Sequence, residues 1–159
     1  MKLILPFFLL VAFNLWGAKK NAQPVVGKPF PPLEASKTMQ VPKGFNVTLF
    51  AGEPDIKQPI GFCIDDRGRL WVAEANNYPD KKAGKNDRII ILEDTDGDGT
   101  HDKRIVFYDK LEYVCGIEVG FGGAWVMSLP NLYFVPDKNY DGVPDGEPVV
   151  LLDGFGTDA

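Results

Sequence analysis

One histidine and two cysteines leave this chain of 159 residues short of the side chains that most metal and covalent chemistry uses. Neither Cys63 nor Cys115 belongs to a C-x-x-C-H haem-attachment run or to a zinc pattern. No stretch is basic enough to follow a phosphate backbone, and 17 basic against 22 acidic residues give a formal charge of -5, so nucleic acid is not an expected partner. No amphipathic helix of ordinary length appears after residue 44. The N-terminal apolar run, residues 3–13, is broken by Pro6 and falls short of the roughly 20 helical residues that cross a bilayer. At 45% hydrophobic and 25% charged residues, the chain is still neither disordered, collagen-like nor a bundle of membrane spans. Its length suits one domain or part of a larger one.

What is present begins with Met1-Lys2, the apolar run, and Asn14-Leu15-Trp16-Gly17-Ala18. Residues 1–18 therefore read as a secretion signal with cleavage after Ala18 or Ala22, the alternative being an uncleaved anchor. The expected location is exported: periplasmic, extracellular, or membrane-associated through this segment alone. Residues 19–44 carry Pro24, Pro29, Pro31, Pro32 and Pro42 and read as a linker with one short helical turn at 33–40. From residue 45 the pattern becomes short apolar runs punctuated by Gly, Asp, Asn and Pro, which predicts an all-β domain over 45–159. The expected strands are 45–50, 60–64, 70–75, 88–93, 104–108, 114–119, 124–128, 132–136 and 148–152.

Internal repetition decides the architecture. The run 94–102, Asp-Thr-Asp-Gly-Asp-Gly-Thr-His-Asp, recurs as 137–145, Asp-Lys-Asn-Tyr-Asp-Gly-Val-Pro-Asp, and the same separation carries Ile90-Ile91-Leu92 onto Tyr133-Phe134-Val135. Upstream, Gly68-Arg69-Leu70-Trp71-Val72 matches Gly122-Gly123-Ala124-Trp125-Val126 at a longer separation, so the first unit holds an insertion between Trp71 and Arg88. Four strands per unit and a period in the roughly 40 to 50 residue range predict a β-propeller of four-stranded antiparallel blades, about two of which are present. Two blades make an incomplete ring, so the chain reads as the N-terminal piece of a longer protein whose downstream blades complete it. A complete eight- or nine-stranded sandwich is the alternative.

Both acidic runs follow D-x-[DN]-x-D-G-x-x-D. A hard cation such as Ca²⁺ takes six to eight oxygens, which side chains at positions 1, 3, 5 and 9 and a carbonyl at 7 can supply around a bend at 6. The expected ligands are Asp94, Asp96, Asp98, Thr100 and Asp102, then Asp137, Asn139, Asp141, Val143 and Asp145. Position 12 holds Ile105 and Pro148 where an EF-hand needs Glu, so these are hairpin loops rather than EF-hands. A solvated acidic turn is the competing reading.

In an antiparallel blade the third-to-fourth turn and the second-to-third turn lie at opposite ends. The insertion and the blade-to-blade links therefore share the end away from the acidic loops, and long loops on a rigid scaffold are where binding residues collect. Glu74, Asn76, Asn77, Tyr78 and Arg88 are the candidates there, against the reading of a plain solvated loop. Trp71 and Trp125 occupy equivalent places and are expected to pack blades. Cys63 and Cys115 lie near the starts of successive inner strands, at nearly equivalent positions, either as a disulfide or as two thiols. His101 reads as an exposed loop residue on the acidic end, and Asn46-Val47-Thr48 fits a glycosylation sequon.

Residues 44–54 (Gly-Phe-Asn-Val-Thr-Leu-Phe-Ala-Gly-Glu-Pro), 58–60, 66–74 (Asp-Arg-Gly-Arg-Leu-Trp-Val-Ala-Glu), 93–99 and 116–123 fall in an order that resembles the membrane-bound dehydrogenase β-propellers. These are large exported bacterial proteins similar to the soluble quinoprotein glucose and sorbosone dehydrogenases. The resemblance runs from about residue 33 to the C-terminus. It implies a six-bladed propeller, often followed by helical repeats and a c-type haem domain, that oxidises a small sugar or alcohol on pyrroloquinoline quinone. The catalytic histidine it implies lies beyond residue 159, and no quinone ligand carries over residue by residue, so this portion alone is expected to be inactive. The alternative is a non-catalytic, calcium-stabilised propeller that binds a polysaccharide or a protein.

Overall fold

A computed structural model of the chain describes residues 27–79, 84 and 86–156. The signal-peptide reading of residues 1–18 lies outside them. A seven-residue helix, α1 (Pro32–Thr38), starts at the proline-rich segment and precedes eight strands. These are β1 (Pro59–Ile64), β2 (Leu70–Glu74), β3 (Asp87–Glu93), β4 (Lys103–Leu111), β5 (Val114–Val119), β6 (Gly123–Ser128), β7 (Asn131–Pro136) and β8 (Val149–Leu152). They form two four-stranded sheets in simple order, β1-β2-β3-β4 and β5-β6-β7-β8, with every neighbouring pair antiparallel. The fold is all-β, two blades of a partial propeller. No described helix is long and apolar enough to cross a membrane.

Strand alternation gives each sheet two faces, and the first sheet buries both. Trp71, Ala73, Ala75, Ile89, Ile91, Phe107 and Leu111 form one cluster with Val114, Ala124, Val126 and Val135 of the second sheet. On the opposite face Val72, Ile90 and Leu92 are covered by Phe50, Ala51 and Ile56. A strand buried on both sides needs an unbroken apolar run, and Ile89-Ile90-Ile91-Leu92 is fully buried in β3. Each such side chain contributes about 1.5 to 3 kcal/mol by leaving water.

The repeat also appears in three dimensions. Trp71 faces Ile91 across the ladder as Trp125 faces Phe134, and each indole meets an aromatic edge-on: Trp71 with Phe107 at 4.8 Å, Trp125 with Phe134 at 5.1 Å. Trp71 is 2% exposed because the second sheet lies over it, whereas Trp125 is only half-buried and Phe121 beside it is 93% exposed. Trp71 is also tied to its own turn: Nε1 donates to Asp65 Oδ2 at 2.9 Å, and Arg67 N, Arg69 N and Arg69 Nε donate to the same carboxylate. Burial alone would raise Asp65, but the donors from Trp71 and Arg69 outweigh it and hold the carboxyl below its ordinary value.

Three expectations change. Residues 45–50 form no strand among the described residues, because a strand pattern without a neighbouring edge has nothing to ladder with. The cysteines are not equivalent. Cys63 stands opposite Trp71, whereas Glu118 stands opposite Trp125, and the irregularity between Val114 and Gly116 leaves Cys115 in a bulge; both are free thiols. His101 is not a free loop residue, since its side chain is 13% exposed, Nδ1 lies 2.9 Å from Phe50 O, and its backbone N donates to the same carbonyl.

Burial first, then the Glu118 carboxylate, push the Cys63 thiol up from 9.0 to about 11. The folded state thus holds the thiol proton more tightly than the unfolded chain. The stability this gives is whole below pH 9 and falls as pH rises toward 11. Alkylation of Cys63 should be slow at pH 8 and accelerate toward pH 11, with Cys115, the exposed thiol, modified first. Equal rates at pH 8, followed by peptide mass spectrometry, would contradict this.

Candidate functional site

Antiparallel order sets the ends of the blades, and hydrogen bonds across them agree. Arg67, in the β1–β2 turn, donates through Nη1 to Tyr140 O of the second acidic loop at 2.8 Å and lies 5.7 Å from the Tyr140 ring. The two acidic loops and that turn therefore share one end.

Within the loops, five hydrogen bonds occur in pairs. Gly99 N donates to Asp94 Oδ2 at 2.8 Å as Gly142 N does to Asp137 Oδ2 at 3.1 Å. Asp98 N reaches Asp94 and Asp96 as Asp141 N reaches Asp137 and Asn139. Thr100 N donates to Asp98 Oδ1 as Val143 N does to Asp141 Oδ1, both at 2.8 Å. The ninth-position carboxylates close the loops, Asp102 accepting from Thr95 N and Asp145 from Lys138 N. Positive φ at Gly97, Gly99 and Gly142 comes to glycine at little cost, while in the second loop Tyr140, with φ of 57°, stands where the first has Gly97.

Asp94, Asp96 and Asp102 each place an oxygen within 4.8 Å of the others'. With Ca–O distances near 2.4 Å, oxygens around one ion lie no farther apart than that, so this donor set fits a hard cation. Asp98 stands outside this group. In the second loop the third position is Asn139, whose amide donates to Asp141 Oδ2 at 2.9 Å. The leading carboxylates also differ. The amide of Gly99, ahead of those of Gly97 and Asp98, holds Asp94 below its ordinary value, while burial raises Asp137, which is 1% exposed, against the amides of Gly142 and Asp141.

The opposite end holds the insertion and the link between sheets. Glu74 is fully buried and accepts from Lys57 N at 2.6 Å and from Arg88 Nε, with Arg104 Nη2 at 3.7 Å. Asn76 Nδ2 donates to Asn86 O, Tyr78 is 73% exposed, and Asn77 is buried with no partner for Oδ1 among the described residues. Sequence reasoning missed Asp87. It is 1% exposed and accepts from Asn77 N at 2.7 Å and Val114 N at 3.0 Å, pinning the insertion to the first residue of β5. Its signal was an acid immediately before an apolar run, which read as loop because the strand was expected to begin at Arg88. Arg104 was likewise counted as strand, not as a partner of Glu74.

These residues do not make a quinone cradle. Arg88 and Arg104 are turned to Glu74, and His101, the chain's one histidine, lies at the other end. The buried carboxylate is structural in effect: Glu74→Gln should lower stability by about 3 kcal/mol, the lower end of the cost of breaking a buried pair because Arg88 keeps some solvent. Chemical denaturation of wild type and variant would measure it, and an unchanged midpoint would refute the buried pairing.

Comparison with known proteins gives no curated protein that matches. Among solved structures, the PQQ-bound form of an aldose sugar dehydrogenase from Streptomyces coelicolor is similar at 20% identity and a TM-score of 0.41, over 63% of this chain and 32% of that one. The chain thus spans about a third of that enzyme's length. A family model described as a domain of unknown function, DUF7133, matches residues 31–159, and to that family this chain belongs.

Proposed function

We propose that the chain is the N-terminal part of an exported, calcium-stabilised β-propeller of the dehydrogenase type, which in the whole protein oxidises a small sugar or alcohol with pyrroloquinoline quinone. The observation that carries the propeller reading is the duplicated blade, in which the Trp71 face is covered by the next sheet and the equivalent Trp125 face is not. The oxidative chemistry rests on the resemblance of residues 44–54, 58–60, 66–74, 93–99 and 116–123 to dehydrogenase propellers. Quinone ligands and the catalytic base belong, in this reading, to later blades. The part played by these residues is to hold the first two blades in register, with the acidic loops at one end and Glu74, Asn76, Asn77, Tyr78 and Arg88 at the other.

Calcium in the acidic loops is supported by the Asp94, Asp96 and Asp102 cluster and by the matched hydrogen bonds of the second loop. With dissociation constants of about 10⁻⁴ to 10⁻³ M, as in extracellular modules, roughly 10 mM Ca²⁺ should add about 1.4 to 2.7 kcal/mol per site by mass action. Thermal melts with calcium and with chelator read this directly. Asp94→Asn should remove part of the difference, and superimposable wild-type melts would sink the calcium reading.

The whole gene product should be found in the exported fraction and, loaded with pyrroloquinoline quinone, should reduce an artificial electron acceptor when an aldose or alcohol is supplied. Product retained in the cytoplasm counts against export. A correctly exported, quinone-loaded protein that oxidises no sugar or alcohol would leave the non-catalytic propeller in its place.

A further inference from the structure

The two acidic runs share a spacing but not a charge. Residues 94–102 hold four carboxylates, Asp94, Asp96, Asp98 and Asp102, whereas 137–145 hold three, Asp137, Asp141 and Asp145, beside the basic Lys138. Among the described residues no ion pair reaches a carboxylate of the first loop. What lies against that loop carries no charge: a Cβ at Gly99 would meet Thr48 Cγ2 at 3.4 Å, Thr100 Oγ1 and His101 N donate to the carbonyls of Leu49 and Phe50, and the His101 ring is turned to Phe50 O and Asp55.

The second loop instead meets two arginines of the β1–β2 turn. Arg67 Nη1 donates to Tyr140 O at 2.8 Å. Arg69 is 3% exposed, and its guanidinium lies 5.5 Å from the ring of Trp71, which shares the inter-sheet cluster with Val135, two residues ahead of Asp137. Gly142 of the same loop packs on Ile91, the ladder partner of Trp71. Arg69 Nε is committed to Asp65 at 2.7 Å, but Nη2 is buried with no partner among the described residues. Asp65 also accepts from Trp71 Nε1 and the amides of Arg67 and Arg69, so it offsets only part of the guanidinium charge. Burial raises the Asp137 carboxyl; the Gly142 and Asp141 amides lower it, and so does the Arg69 charge, acting through space. That charge is permanent, because a guanidinium does not lose its proton in a protein.

The donor groups differ in the same sense. Asp94, Asp96 and Asp102 turn oxygens toward one another, whereas Asn139, which stands where the first loop has Asp96, gives its amide to Asp141 Oδ2. The arginine is also particular to this junction. The second sheet has Gly123 at the equivalent place, where a Cβ would lie 2.3 Å from Val135 O.

We infer that Arg69 sets the affinities of the two loops apart: the first is the tighter calcium site, and the second, whose leading carboxylate already faces a buried guanidinium, fills only at higher calcium. Arg69 acts as a resident cation, through Asp137 and across the boundary between the sheets. A unit charge several ångströms from a divalent ion, at an effective dielectric constant of about 20 and partly offset by Asp65, is worth at least about tenfold in binding. This inference rests on the reading of the loops as calcium sites.

Hydrogen exchange followed by mass spectrometry, across a calcium titration of the whole gene product, reads each loop by itself through peptides spanning 94–102 and 137–145. Protection of 94–102 should reach its midpoint at a calcium concentration at least about tenfold below that of 137–145. Arg69→Gln keeps an amide to donate to Asp65 and removes the charge; it should lower the 137–145 midpoint by about tenfold or more and leave the 94–102 midpoint in place. Arg69→Lys, which keeps the charge, should retain the wild-type gap. Asn139→Asp gives the second loop the carboxylates of the first without touching Arg69, so a gap of about tenfold should survive it. Equal wild-type midpoints, a folded Arg69→Gln protein whose midpoints do not move, or a gap that Asn139→Asp closes overturns the inference and leaves the calcium reading standing. Protection that responds to calcium in neither loop overturns both together.

Discussion

The contact on which the structure depends is the packing of the Trp71 face of the first sheet against the small-residue face of the second. Large side chains, Trp71, Ile89, Ile91 and Phe107, come from one sheet, and Ala124, Val126 and Val135 from the other, so bulk on one side meets room on the other. The two faces of one blade are therefore different in kind. A unit with one bulky and one receptive face stacks in a single direction, which is why the same sequence elements can repeat around a ring and why a lone blade has no stable surface of its own. Asp65 keeps the bulky face in order by fixing both Trp71 and Arg69 in the turn that precedes β2.

Much of this was legible in the sequence because repetition is insensitive to local error. Two acidic nine-residue runs and two Gly-x-x-Trp-Val runs placed eight strands in two units, and a misjudged strand end, such as β4 reaching Leu111 rather than residue 108, changed nothing in the topology. Residues 45–50 failed for a reason the pattern cannot contain. Alternation reports that a segment suits a sheet and says nothing of whether an edge is there to receive it. The Cys63 and Cys115 equivalence failed because both inner strands carry the same bulge, with Ile60 in the first and Cys115 in the second, so that Cys63 answers to Glu118 and the two cysteines stand three residues apart in the blade.

The candidate site was legible in part, along the same line. Acidic loop residues could be found because their spacing is local, and the matched bonds from Gly99 and Gly142 follow from glycine at the sixth position of each run. Asp87 could not be found that way. Its partners, Asn77 N and Val114 N, come from an insertion and from the next blade, so its role exists only once three separated segments meet. Glu74 is intermediate: its place opposite Arg88 follows from the ladder, but the approach of Lys57 N and Arg104 does not.

The acidic loops carry their own compensation. Four carboxylates within nine residues repel one another, yet Asp94 accepts from three backbone amides and Asp102 from the Thr95 amide and hydroxyl, so the fixed dipoles of the chain offset part of that repulsion before any ion arrives. A loop already bent around its leading carboxylate would lose little further conformational freedom on taking a cation, so that under the calcium reading proposed above binding would add to stability by increments instead of switching the fold on. The second loop goes further, since its leading Asp137 is buried, its Gly142 lies against Ile91 and Ile105 of the first sheet, and its Tyr140 carbonyl is held by Arg67 of the neighbouring turn. Its shape is set by the junction between blades. An ion bound there would stiffen the angle between the two sheets as well as the loop, whereas the first loop bears on the segment at Thr48 and Phe50, so the two loops share one chemistry and act on different joints of the same scaffold.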